Sequence, residues 1–377
     1  MNTTATPTQC VTPALCISIE TGVSEWKLFM STGLGQHPRE RTVPARSLDR
    51  LAEEVARAKQ HFGLAPDAPV SSCYEAGRDG FWMHRALVAM GIDNRVLDSS
   101  SIEVKRQKRR AKTDRVDGAS LLRMLWRYHN GEEKVFSIVR VPSVEDEDRR
   151  QLHRELISTQ RDRGRLTSRI KSLLFAEGIY LTDLRELPAQ LPRLRLWNGD
   201  ALPERLVKRI EREWQKVVQL SAQISELVKE RRRLLKEAKD EATECARKLM
   251  RLRAIGENAG WLFAMEFFAG REFKNRREVG GLAGLAPTPY QSGTDSREQG
   301  MSKAGNRWIR ALAVEIAWGW LRYQPESELS RWYQRRFAHG SSRVRRIGIV
   351  ALARKLLIEL WKYLQTGTAP AGALLKG

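Results

Sequence analysis

The sequence predicts a mixed α/β domain, then an arm of two long helices, then a mainly helical C-terminal domain. In residues 14–142, strand-like segments alternate with helical periodicity in the order β-β-β-α-β-α-β-α, which is typical of a mixed sheet covered by helices. From 143 to about 242, two long charged segments with sparse apolar positions flank a proline-bearing connection. After Cys245, apolar helical segments surround a glycine-rich centre.

Each element of the first domain has its own sequence signal. Five segments have the apolar runs or the alternation of strands: "ALCISIE" (14–20), "EWKLFMS" (25–31), "RERTVPA" (39–45), "APVSSCYEAG" (68–77) and "NRVLDSS" (94–100). Three segments have helical periodicity: "SLDRLAEEVARAKQHFG" (47–63), "RDGFWMHRALVAMG" (78–91) and "KTDRVDGASLLRMLWRYH" (112–129). We therefore place this domain at residues 14–142, after a flexible tail (1–13).

The segment 143–243 is predicted to form an antiparallel coiled-coil arm. One helix is expected from Ser143 to Ala176, prolines interrupt residues 180–203, and a second helix is expected from 204 to about 242. The second helix carries a roughly heptad apolar seam: Leu206, Ile210, Trp214, Val217, Ile224 and Leu227. A helical linker or dimer interface and a nucleic-acid-holding arm are both compatible with this pattern. The C-terminal domain then covers 244–377.

The charge of the chain indicates a polyanionic partner. Its formal net charge is +21 and its pI about 10.2, whereas 41% apolar residues indicate a globular protein. A membrane partner is not favoured, because no continuous apolar run reaches about 20 residues and no lipidation signal is present. Four scattered cysteines show no zinc spacing, and the N-terminus lacks the pattern of a signal peptide, so a cytoplasmic, nucleoid-associated protein is expected.

Four carboxylates form a candidate metal site. Glu20 and Glu75 each end a predicted strand, while Asp114 and Asp117, three residues apart, share one helix face. Such carboxylates can bind Mg²⁺ and leave positions for phosphate and water. Alternatively, the two aspartates simply favour the N-terminal turn of a helix through its dipole.

These residues carry a resemblance. The segments "ISIET", "CYEAGRDGFWMHRAL" and "RRAKTDRVDGASLL" resemble the DEDD transposases of bacterial insertion sequences, also called RNA-guided bridge recombinases. The resemblance implies a RuvC-like, ribonuclease-H-type domain whose catalytic, metal-binding tetrad falls on Glu20, Glu75, Asp114 and Asp117. The implied metal is Mg²⁺, with Mn²⁺ as an alternative. Glu20 departs from the family pattern, which has aspartate there, and reaches one methylene further.

A second motif resembles the C-terminal signature of the same family. It is "GLAPTPYQSGTDSREQGMSKAGNRWIRAL" (284–312), in which Ser302, Lys303, Gly305 and Arg307 match the later positions. The resemblance implies that Ser292 is the catalytic nucleophile. No histidine lies nearby in sequence to act as base, so a metal held by the other domain would activate the hydroxyl. Ser292 is otherwise a good turn residue in "QSGTDS", and Ser296 is the neighbouring alternative.

Basic and aromatic residues supply candidate nucleic-acid contacts. We expect phosphate contacts from Lys105, Arg106, Lys108, Arg109, Arg110, Lys112, Lys303 and Arg307. Basic runs are also common on solvated helix faces. Most of the C-terminal tryptophans are expected in the core, with one or two available to stack on unpaired bases: Trp197, Trp261, Trp308, Trp318, Trp320, Trp332 and Trp361.

The resemblance leads us to expect an RNA-guided DNA transposase/recombinase of an insertion sequence. Its expected partners are donor and target DNA, a structured guide (bridge) RNA and further copies of the chain in a dimer or tetramer. Its expected chemistry is Mg²⁺-dependent strand cleavage by Ser292, with a phosphoserine intermediate. The alternatives are a RuvC-type hydrolytic junction nuclease, in which water is the nucleophile, and a catalytically decayed nucleic-acid-binding protein.

Overall fold

The computed structural model describes residues 14–102, 114–132, 134–292, 295–303 and 305–376. The chain forms two compact units, with the boundary between Pro142 and Ser143. The predicted tail and the basic run 105–112 lie outside the described residues. Within the described ranges, no helix is long and apolar enough to cross a membrane.

The N-terminal unit contains a five-stranded sheet in the order β3-β2-β1-β4-β5. Its strands are β1 (Leu15–Thr21), β2 (Glu25–Ser31), β3 (Arg39–Pro44), β4 (Val70–Glu75) and β5 (Asp93–Leu97). The pairs β1–β2 and β2–β3 are antiparallel, whereas β1–β4 and β4–β5 are parallel. Its helices are α1 (Leu48–His61), α2 (Trp82–Ala89) and α3 (Asp114–His129). The predicted mixed α/β sheet and its element order are confirmed.

The alternation of side chains along the strands separates two cores. Leu15, Ile17 and Ile19 of β1 pack on the face that α1 and α2 cover, with Leu51 and Met83 among their neighbours. Cys16 of β1 and Cys73 of β4 point to the opposite face and pack against Leu121 and Leu125 of α3. Burying each such aliphatic side chain contributes about 1.5–3 kcal/mol, so both faces hold their helices in place.

Two long antiparallel helices begin the C-terminal unit. They are α4 (Val144–Ala176) and α6 (Glu204–Glu237), with the short α5 (Leu187–Gln190) in the connection. Ile170 near the end of α4 packs with Ile210 near the start of α6, whereas Leu156 packs with Ile224. This pairing requires the two helices to run in opposite directions.

The predicted end of the second long helix is wrong. The sequence pattern predicts that this helix ends near residue 242, but α6 ends at Glu237 and a new helix, α7 (Glu241–Met250), follows. Asp240 caps the start of α7. Its carboxylate accepts one hydrogen bond from the backbone N–H of Thr243 (3.1 Å) and another from the Thr243 hydroxyl (2.8 Å).

The rest of this unit is a helical core with one hairpin. Its remaining helices are α8 (Glu257–Phe263), which continues as a π-helical turn (Ala264–Phe268), α9 (Arg276–Leu282), α10 (Arg307–Tyr323), α11 (Glu328–Phe337) and α12 (Ser342–Thr366). Phe263, Trp320 and Leu356 are fully buried in the core that these helices share. The glycine-rich centre of the sequence forms the antiparallel strands β6 (Pro287–Ser292) and β7 (Asp295–Met301).

Candidate active site

Glu20 and Glu75 end two neighbouring parallel strands. The pairing of β1 with β4 runs in register up to Ile19 and Tyr74, so each glutamate is the next residue of its strand. Neighbouring strands lie about 4.8 Å apart, and residues level with each other in a parallel pair point to the same face. Both carboxylates therefore belong to the sheet face that α3 covers; Glu20 is partly buried and Glu75 is exposed.

Hydrogen bonds fix the direction of α3 on that face. The Ser18 hydroxyl donates to the Gly118 carbonyl oxygen (2.7 Å), and the Trp126 indole N–H donates to the Ser31 hydroxyl (2.7 Å). At the far end of the helix, His129 Nε2 and the Ser71 hydroxyl oxygen lie 2.9 Å apart. Helix α3 therefore crosses the sheet in the direction from the carboxyl ends of β1 and β4 toward their amino ends, and its N-terminus lies toward the carboxyl ends.

Gly118 allows α3 to lie this close to the sheet. A Cβ atom at this position would lie 2.1 Å from Cε2 of the Phe29 ring. Real Cβ atoms do not approach other atoms so closely, so only glycine fits while Phe29 keeps its place. The glycine directly after "DRVD" is therefore a packing requirement.

The backbone brings Asp114 and Asp117 toward the two glutamates. Asp114 is four helical residues before Gly118, about 6 Å along the axis, and Glu20 is two strand residues, about 6.6 Å, beyond Ser18. Since α3 runs from Gly118 toward the amino ends of the strands, its start lies on the side of Gly118 that faces their carboxyl ends. The side chains of Asp114 and Asp117 lie outside the described residues. Among the side chains that are described, no three His, Cys, Asp or Glu residues form a metal-binding group.

The donors at this edge suit a hard cation. Carboxylate oxygens are the ligand class that Mg²⁺ prefers, and two of them are placed here on adjacent strand ends. The nearby thiols are unsuited to nucleophilic chemistry, because burial raises the pKa of Cys16 to about 12 and also raises that of Cys73. Among the described side chains at this edge, the carboxylates of Glu20 and Glu75 are therefore the groups suited to bind a cation.

Ser292 is the last residue of β6, at the tip of the hairpin. It pairs with Asp295, the first residue of β7, across a turn whose two residues lie outside the described part of the chain. The Ser292 side chain is likewise not described. This position agrees with the interpretation of Ser292 as a turn residue, and its role as a nucleophile stays a prediction.

The chain after β7 folds back onto α9 and the start of β6. The backbone N–H of Ser302 donates to the Ala286 carbonyl (2.9 Å), and that of Lys303 donates to the Gly284 carbonyl (3.2 Å). Gly305 has φ +96°, and a Cβ there would lie 2.1 Å from the Leu282 carbonyl oxygen. The glycine of "SKAG" is therefore required by this close crossing.

Lys303 and Arg307 are exposed cations at the entry to α10. The Asn306 side chain caps this helix by accepting from the backbone N–H groups of Trp308 (2.9 Å) and Ile309 (3.3 Å). Arg310 donates to the Lys303 carbonyl (2.9 Å), which holds the segment against the helix. Within the described residues, no ion pair engages Lys303 or Arg307, so both are available to an anion.

Sequence reasoning missed the residues that position these segments. Ser18, Trp126 and Arg310 make hydrogen bonds that no local pattern indicates, whereas Asn306 had a signal, as an asparagine directly before a helical pattern. Gly118 did have a signal, as a glycine inside a helical pattern. Trp261 and Trp320 lie in the core as expected, whereas the exposed fractions of Trp197 and Trp318 are 92% and 49%.

Comparison with known proteins identifies the family. Residues 246–334 match the model of the transposase IS116/IS110/IS902 family. The chain is 38% identical to a putative transposase (y4rJ) of Sinorhizobium fredii, over 96% of this chain and 95% of that protein. It is also 28% identical to the transposase for insertion sequence element IS1328 of Yersinia enterocolitica, over 60% of this chain and 66% of that protein. Because the first similarity spans nearly the whole of both proteins, the chain belongs to the IS116/IS110/IS902 family of transposases.

Proposed function

We propose that this transposase is an RNA-guided DNA recombinase that cuts and rejoins strands through a covalent bond between Ser292 and DNA. The observation that carries the proposal is the position of Glu20 and Glu75 on one face of adjacent parallel strand ends, with α3 starting at the same edge. A ribonuclease-H-type (RuvC-like) fold for the N-terminal unit is part of the proposal. It is supported by the order of the mixed sheet, three antiparallel strands continued by two parallel ones.

The proposed metal ligands are Glu20, Glu75, Asp114 and Asp117. Two like charges three residues apart on a helix repel each other, and a cation between the aspartates and the strand carboxylates would remove that cost. Mg²⁺, or Mn²⁺ in its place, would neutralise charge on the phosphate and favour the ionised form of the attacking hydroxyl. The Ser18–Gly118 hydrogen bond and the glycine packing would keep the helix start at the level of the strand ends.

The proposed reaction conserves the number of phosphodiester bonds. The Ser292 oxygen attacks phosphorus, its proton passes to solvent, an Oγ–P bond forms, and the bond from phosphorus to one deoxyribose oxygen breaks. That deoxyribose oxygen leaves as a hydroxyl group. A hydroxyl of the partner strand then attacks the same phosphorus and releases the serine, so joining needs no ATP. Lys303 and Arg307, exposed after the hairpin, are proposed phosphate contacts.

RNA guidance and assembly complete the proposal. The net charge of +21, together with the basic run 105–112, supports binding of a second nucleic acid besides DNA. Cutting two duplexes requires several active sites, so we propose a dimer or tetramer. The antiparallel α4–α6 pair, proposed as a coiled-coil arm, would supply the contact between copies.

A covalent-trapping assay tests the proposed chemistry. The full chain is mixed with the noncoding RNA that flanks its gene, labelled junction DNA and Mg²⁺, then denatured and examined for label on the protein. We expect label on the wild type and on Ser296→Ala, the neighbouring serine control, and none on Ser292→Ala or Asp114→Ala. Omitting the RNA should remove the label from the wild type.

Two outcomes would contradict the proposal. Cleaved DNA without label on the protein would indicate a hydrolytic nuclease, with water as the attacking group. Nucleic-acid binding without cleavage in either Mg²⁺ or Mn²⁺ would indicate a protein that has lost its activity.

A further inference from the structure

Helices α11 and α12 are joined by a short, tightly packed connection. Four residues, Ala338–Ser341, separate the end of α11 from the start of α12. Ser341 caps the second helix by accepting from the backbone N–H of Val344 (3.4 Å). Helix-turn-helix motifs likewise join two helices by a turn of three or four residues that often contains a glycine.

Positive charge is concentrated around this connection. From Leu329 to Ile358 the sequence contains eight Lys or Arg residues and no Asp or Glu. Arg335 lies 4.0 Å from Glu328, but within the described residues no ion pair engages Arg336, Arg343, Arg345 or Arg346. All four of these arginines are exposed. An uncompensated cluster of guanidinium groups is suited to phosphates and to guanine edges.

The start of α12 projects from the body of the unit. Its first six residues, Ser342–Ile347, are all exposed, whereas Gly348 and Ile349 are buried. Six helical residues span about 9 Å. Arg343, Arg346 and Ile347 share one helix face by their spacing, and the exposed fraction of Ile347 is 55%. An apolar side chain left in water beside arginines suggests a partner that offers both anionic and apolar groups.

Packing below the projecting turns holds them in place. A Cβ on Gly348 would lie 2.4 Å from the Phe337 ring, so this glycine lets the end of α11 press against α12. The Tyr333 hydroxyl also donates to the Arg345 carbonyl (3.4 Å). Because one of these contacts reaches Arg345 within the exposed segment and the other lies directly after it, the exposed turns are held as a rigid element.

We propose that the first two turns of α12, Ser342–Ile347, enter the major groove of double-stranded DNA. The B-form major groove is about 12 Å wide and 8.5 Å deep, which matches a helix of about 10–12 Å diameter whose free end is about 9 Å long. Arg343 and Arg346 can bind guanine edges or phosphates, and Ile347 can contact a thymine methyl group. Double-stranded RNA fits less well, because its major groove is too narrow for such a helix.

The test measures binding of the full-length protein to a duplex of about 25 base pairs by fluorescence anisotropy. No Mg²⁺ is added, so cleavage does not contribute, and the result is independent of the Ser292 assay. Arg343→Ala/Arg346→Ala should raise Kd for DNA at least about tenfold, since it removes two of the proposed guanidinium contacts to guanine edges or phosphates. Ile347→Ala should weaken binding with little change in its salt dependence, because it removes no charge.

The matched control is Arg50→Ala/Arg57→Ala, which removes the same charge from two exposed arginines of α1; both pair with Glu53, and Arg57 also pairs with Glu54. It should leave Kd nearly unchanged. Circular dichroism should show unaltered folding in both double variants, since the replaced side chains are exposed. An unchanged Kd in the α12 variant, or an equal loss of binding to a duplex RNA of the same sequence, would overturn the proposal.

Discussion

The hydroxyl of Ser18 donates a hydrogen bond of 2.7 Å to the carbonyl oxygen of Gly118, and this contact sets the position of α3 on the sheet. Both residues are buried. The bond lies one helical turn from Asp114 and two strand residues from Glu20. Small movements at this contact would therefore move two of the proposed metal ligands relative to each other.

Gly118→Ala should destabilise the N-terminal unit by about 1–3 kcal/mol, because the new methyl group would overlap the Phe29 ring. Urea unfolding followed by circular dichroism measures this loss. Gly164→Ala is the matched control: Gly164 lies inside α4, where a methyl group would meet open space, and alanine there should stabilise by about 0.5–1 kcal/mol. Equal effects of the two substitutions would contradict the close-packing argument.

Gly305→Ala should disrupt the segment between β7 and α10. The position has φ +96° and no room beside the Leu282 carbonyl, so we expect a loss of at least about 1–2 kcal/mol. Thermal unfolding of the full chain measures it. Gly281→Ala, at a nearby helical glycine with open space, should change stability by less than half as much. An unchanged melting temperature for Gly305→Ala would contradict this prediction, because it would mean that the backbone at 305 can move away from the Leu282 carbonyl oxygen.

Glu75→Gln should reduce the rate of Mg²⁺-dependent cleavage by at least about 10–100-fold. Replacing a residue that only hydrogen-bonds to a metal ligand typically causes a loss of this size, and Glu75 is proposed as a ligand itself. Stability should be unchanged, because the side chain is exposed at a strand end. The measurement is the cleavage rate as a function of Mg²⁺ concentration, with the exposed Glu53→Gln of α1 as the control. If Glu75→Gln keeps the wild-type Mg²⁺ dependence, Glu75 is not a metal ligand.

His153 should make the C-terminal unit sensitive to acid. Its ring is 2% exposed, neither ring nitrogen has a hydrogen-bond partner among the described residues, and burial together with the charge of Arg231 lowers its pKa from 6.5 to about 4. The unfolded chain therefore binds a proton that the folded chain does not, and stability falls as pH drops from about 6.5 toward 4. The full effect of the shift is about 3 kcal/mol.

His153→Phe removes this titration. Below pH 6 the variant should lose less stability than the wild type, and at pH 7 it should be at least as stable, since two unpaired buried nitrogens are gone. Urea unfolding at pH 4.5 and pH 7.5 gives the comparison. Identical pH dependence in the two proteins would show that His153 is not the group responsible.

Local patterns predicted most elements of the N-terminal unit. The segment "EWKLFMS" coincides with β2, because alternating apolar residues can bury one side of a strand without help from distant residues. The helical periodicity over 47–63 also predicts α1, which the structure places at Leu48–His61. The end of α6 was misplaced, since Asp240 and Thr243 start a new helix through a capping bond that helical periodicity does not reveal.

The sequence by itself determined the order of strands and helices, the excess of positive charge and the motifs around Glu20, Glu75 and Ser292, because these depend on residue type and spacing alone. Only the tertiary structure decided that Glu20 and Glu75 lie side by side and that α3 starts at their edge of the sheet. It also decided that the first turns of α12 stand free of the core. Strand register and helix direction arise from contacts between residues far apart in the chain, such as Ser18 and Gly118, and no local pattern contains them.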